Sequence, residues 1–120
     1  MKAIIKMVLI LLVLATCTAS AATDEEILGF ANGVLAAEFT HGGTASATIG
    51  GDDNNTLLLS VKLDDYVKTD VGSIGYNLYR LSGSADTIVA KYPDRFNSIW
   101  LEVYANDGSG PIGEATITVI

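Results

Sequence analysis

Cysteine occurs once in these 120 residues, at Cys17, histidine once, at His41, and proline only at Pro93 and Pro111. Each scarcity removes a class of chemistry. Beyond the first 22 residues there is no cysteine, so a disulfide framework and a cysteine nucleophile are excluded there, and the fold must rest on packing. A transition-metal centre needs several imidazole or thiolate ligands, and His41 alone cannot supply them. Triad hydrolysis would have His41 as its single base. No serine stands in a Gly-x-Ser-x-Gly elbow, and Ser82-Gly83-Ser84 falls inside a helical pattern. A phosphate-cradling loop is also missing, because His41-Gly42-Gly43-Thr44 and Gly50-Gly51 lack the lysine and the strand-to-helix setting.

Basic residues are few as well, 7 against 14 acidic, for a formal net charge of −7. Nucleic-acid binding and adhesion to an anionic membrane surface both depend on positive charge, so no nucleic-acid partner is expected. Long apolar runs are confined to the start of the chain. Lys2 and Lys6, an apolar stretch from Met7 to Ala15 and a small-residue segment to Ala22 have the layout of a secretory signal peptide over residues 1–21. Ala19 and Ala21 occupy the positions read before cleavage, so the mature domain is expected to cover residues 22–120. The apolar stretch is short for a membrane span, which needs about 20 residues. A competing reading takes Leu14-Ala15-Thr16-Cys17 as a lipobox with lipidation at Cys17, although Thr16 departs from the usual small residue there. Without Lys2 and Lys6 the remainder carries 5 basic and 14 acidic residues, a net of −9.

That remainder is patterned. Thr23 stands three residues before Glu26, a capping box, and Ile27, Phe30, Ala31, Val34 and Leu35 follow at helical spacing. Gly29, Gly33 and Ala36 or Ala37 form a small-residue stripe on this helix, which suggests a closely packed backbone. Two alternating segments, Thr44–Gly50 and Thr56–Leu63, flank the turn residues Gly51-Asp52-Asp53-Asn54-Asn55 and read as a hairpin. A second helix follows from spacing of four and three through Val67, Val71, Ile74, Leu78, Leu81, Ala85, Ile88 and Tyr92, starting near Thr69 or Asp70 and stopping before Pro93. Ser98–Ala105 and Gly113–Ile120 alternate around Asn106-Asp107-Gly108-Ser109-Gly110-Pro111, a second hairpin.

The order is helix, strand, strand, helix, strand, strand, an α+β fold of two helix-hairpin units (αββαββ). The expected architecture is a four-stranded antiparallel sheet with two helices on one face. Both hairpin tips would then lie at one end of the sheet. Asp52, Asp53, Asn54 and Asn55 would join Asn106 and Asp107 there as a set of hard oxygen ligands suited to calcium, though without EF-hand spacing. Asp64 and Asp65 are adjacent, point to opposite sides of an extended chain, and do not form the facing carboxylate pair of a glycosidase.

On the other sheet face, the alternation puts Trp100, Glu102 and Tyr104 of the third strand beside Leu58 of the second. Aromatic rings on a surface otherwise rich in serine and threonine mark a contact surface for a protein or glycan partner. The alternative is that the chain's own loops cover them. The leading expectation is therefore an exported, non-enzymatic binding domain with no cofactor and no metal. Its rivals are an envelope structural protein anchored at Cys17, and a small hydrolase pairing His41 with Glu38.

Overall fold

A computed structural model describes residues 22–119. The expected signal segment and its Cys17 lie outside the described residues. The order is α1 (Asp24–Glu38), β1 (Gly43–Gly50), β2 (Thr56–Leu63), α2 (Val71–Lys91), β3 (Ser98–Tyr104) and β4 (Pro111–Thr118).

Both helices begin where a side chain can satisfy an unpaired N–H. Thr23 Oγ1 accepts from Glu26 N at 3.1 Å, and Asp70 Oδ1 accepts from Ser73 N at 2.8 Å. Asp24, Glu25 and Glu26 occupy the first turn of α1, where the helix dipole favours negative charge. Phe39 and Tyr92 close the two helices, the latter just before Pro93. Hydrophobic burial supplies what propensity does not. Ile27, Ala31 and Leu35 of α1, and Leu81, Ala85 and Ile88 of α2, join Leu57, Leu59, Val61, Leu63, Ile99, Leu101 and Val103 of the central strands in one buried cluster. Each large aliphatic side chain so buried contributes about 1.5–3 kcal/mol relative to exposure.

The strands lie in the order β1-β2-β3-β4. Both hairpins are antiparallel as expected, but the central pair is parallel, with Thr56 opposite Ser98 and Lys62 opposite Tyr104. The sheet is therefore mixed, which corrects the antiparallel expectation. The cause is α2. Its 21 residues rise about 31 Å, close to the roughly 26 Å length of an eight-residue strand, so the helix returns the chain to the end where β2 began. The next strand must then run parallel, as in any strand-helix-strand crossover.

The same topology separates the hairpin tips. Residues 51–55 precede β2 and residues 105–110 follow β3, so parallel central strands put the two turns at opposite ends of the sheet. The pooled calcium ligand set does not form, and no group of three or more His, Cys, Asp or Glu with metal-holding geometry occurs among the described residues. The first tip is instead tied down by Arg95, which donates to Asn54 O at 2.6 Å and to Asp24 Oδ1 at 2.8 Å. Gly51 turns there with φ +90°, a conformation that suits glycine.

Two helical expectations are also corrected. Space is open where a Cβ would stand at Gly29 and Gly33, and both residues are exposed, so no backbone packs on that stripe. Val71 is 88% exposed, because the helix begins there and its side chain precedes the buried stripe. The close approach occurs elsewhere: a Cβ on Gly113 would collide with the side chain of Ile74, which identifies Gly113 as the place where α2 crosses β4.

Candidate functional site

The side chains that alternate with the core-facing ones fall into rows across the second sheet face. One row runs Thr48, Leu58, Trp100, Thr116, and the next runs Ser46, Ser60, Glu102, Glu114. A third joins Thr44, Lys62 and Tyr104, beyond which a bulge between Val103 and Tyr104 shifts the register so that Pro111 is the partner on β4. The alternation thus brings Leu58, Trp100, Glu102 and Tyr104 onto one surface, as expected.

Trp100 is 51% exposed although it sits on an interior strand, where its neighbours are Leu58 and Thr116. None of the described loops shields it from solvent. Leu58, Glu102 and Tyr104 are half-buried and form the firmer ground around it. Tyr104 donates its hydroxyl proton to Glu102 Oε2. That bond, followed by partial desolvation and the charges of Glu102 and Glu114, raises the phenol above its ordinary value. Glu102 and Glu114 stand directly opposite each other across β3 and β4. Like charges so placed repel, and neither has an ion pair among the described residues, where the two bridges are Arg80–Glu38 and Arg95–Asp24.

Two pairs of hydroxyl groups on this face look to each other. Ser46 Oγ and Ser60 Oγ are 3.3 Å apart, and Thr56 Oγ1 and Ser98 Oγ 3.2 Å. Beside them stand the indole of Trp100, the exposed Thr48 and Thr116, and the carboxylates of Glu102 and Glu114, of which Glu102 also accepts from Tyr104.

His41 lies exposed between α1 and β1, and no hydrogen bond or ion pair joins it to Glu38 among the described residues. Glu38 is occupied by Arg80, whose Nε donates to Oε1 at 3.0 Å. The same guanidinium stacks over Phe39, 4.1 Å from the ring centroid. Beside this clamp, an open groove of about 550 Å³ runs between the helices, lined by Val34, Ala37, Tyr76, Tyr79, Arg80 and Gly83 among others. Tyr76 and Tyr79 are 62% and 76% exposed and were not singled out from the sequence, although both fall off the buried stripe of α2, which is the signal that marks them.

No helix among the described residues is long and apolar enough to cross a membrane. Comparison with protein-family models, with curated proteins and with solved structures gave no match.

Proposed function

We propose that the chain is exported and that its folded domain is a non-enzymatic binding module which meets its partner with the sheet face around Trp100. In this reading both helices cover the core-facing side of the sheet and leave the Trp100 side open. The observation that carries it is a tryptophan, 51% exposed, in the middle of a four-stranded sheet whose neighbouring positions supply an aliphatic side chain, a carboxylate and a phenol. A large ring with two rotatable bonds offers much contact area at little entropic cost, which is why tryptophan and tyrosine dominate interface hot spots.

Export is supported by the layout of residues 1–21, and cleavage after Ala21 would leave a chain of net charge −9. The intact mass of the protein recovered from outside the cell tests this, and it also distinguishes cleavage from lipidation at Cys17. The binding surface is tested by comparing what the wild-type protein and Trp100→Ser/Tyr104→Thr recover from extracellular fluid, with circular dichroism as a check that both fold. Loss of a specific partner from the variant is expected. Equal recovery by the two proteins would show that the surface is wrongly placed.

A further inference from the structure

We infer that the partner presents an arginine side chain to this face, as part of a basic peptide segment, and that its guanidinium stacks on Trp100 and is held by Glu102 and Glu114. The inference rests on the binding role proposed for the sheet face and adds the chemistry of what it binds.

Two observations point to a cation. The two carboxylates are set opposite each other, an arrangement that repels until a positive group enters between or above them. Trp100 precedes Glu102 by two residues on the same strand face, a rise of about 7 Å, so a planar cation over the indole reaches the carboxylates with its N–H edge.

Among the described residues, no cation of the chain is paired with either glutamate. Of the 5 basic residues beyond the leader, Arg80 and Arg95 are held in ion pairs with Glu38 and Asp24. Lys62, the basic residue on this face, stands opposite Thr44 and Tyr104 rather than opposite either glutamate, and it forms no ion pair with them. The net charge of −9 beyond the leader adds a long-range attraction for a basic partner. Arginine fits better than lysine, because its flat guanidinium both stacks on a ring and donates two parallel hydrogen bonds to a carboxylate.

Trp100 is the single tryptophan of the chain, so its emission reports on this surface alone. The test titrates the protein with a short peptide alternating glycine and arginine, and with the same peptide carrying neutral citrulline in place of arginine. Saturable change in Trp100 emission is expected with the first peptide, and binding about tenfold weaker with the second. Glu102→Gln/Glu114→Gln should weaken the arginine peptide by about tenfold, whereas Asp52→Asn/Asp53→Asn, which removes the same charge at a hairpin tip, should change it by less than about twofold. Equal effects of the two double variants, equal binding of the citrulline peptide, or no response to arginine would each overturn the inference. A saturable response to a neutral β-glucan oligosaccharide without one to the arginine peptide would overturn it while leaving the sheet-face reading standing. Peptide affinity unchanged by Trp100→Ser in calorimetry would remove both.

Discussion

Asn32 of α1 accepts a hydrogen bond at Oδ1 from the backbone N–H of Ala47 on β1, at 3.0 Å. Its Nδ2 donates to Leu28 O at 2.8 Å, so one amide joins a helix turn to the outer strand of the sheet. An edge strand without charge or proline, as Gly43–Gly50 is, offers free N–H groups to any other strand. Asn32 occupies one of them. Asn32→Leu is expected to cost about 1–2 kcal/mol and to raise self-association. Urea denaturation reads the first effect, and sedimentation at increasing protein concentration reads the second.

Arg80 should prove irreplaceable by lysine. Its guanidinium donates to Glu38 Oε1 and to Glu38 O at once and lies over Phe39, a geometry that a point-like ammonium cannot reproduce. Arg80→Lys and Arg80→Met should both lower stability by about 1–2 kcal/mol, with little difference between them. A lysine variant as stable as the wild type would show that charge alone matters.

Gly113 and Ile74 should be coupled. Gly113→Val places a side chain where Ile74 already stands and is expected to destabilise the fold by about 1–3 kcal/mol. Ile74→Ala opens that space, so the double variant should recover part of the loss. A thermodynamic cycle built from the four proteins measures the coupling, and strict additivity would contradict the contact.

The Tyr104 phenol gives a pH signature. Its folded-state value is raised by the bond to Glu102, by partial desolvation and by the two glutamate charges, from an ordinary 10.0. A raised value means that the protonated form is favoured by the fold, so this contribution is fully present below the unfolded value and disappears as pH rises through the folded one. The midpoint of denaturation should therefore fall between about pH 10 and the higher folded value. Tyr104→Phe should flatten that part of the profile, as should Glu102→Gln in lesser degree.

Much of this architecture is readable from local pattern. The capping Thr23 and Asp70, the Ile74-Leu78-Leu81-Ala85-Ile88 stripe and the alternation through Leu57, Leu59 and Val61 each carry their own period, and the helices and hairpins stand where those periods lie. The relation between the two hairpins is not a local property. It follows from the length of α2 set against that of the strands, and only that comparison makes β2 and β3 parallel. Phe39 and Phe96 sit outside any periodic element, so their burial comes from tertiary packing alone. For the candidate face, alternation suffices to gather Trp100, Glu102 and Tyr104. The pairing of Glu102 with Glu114 needs the register of β3 against β4, which the bulge beside Tyr104 shifts.

Rungs of the first hairpin join residues as near in the chain as Gly50 and Thr56, whereas every rung between β2 and β3 spans 42 residues. Closing that longer loop carries the larger entropic cost, and contacts of such separation slow folding. Leu58 and Trp100 become neighbours only when it closes. Neither hairpin alone can form their shared surface, so a partly assembled chain lacks it, and the emission of Trp100 marks the step at which it comes into being.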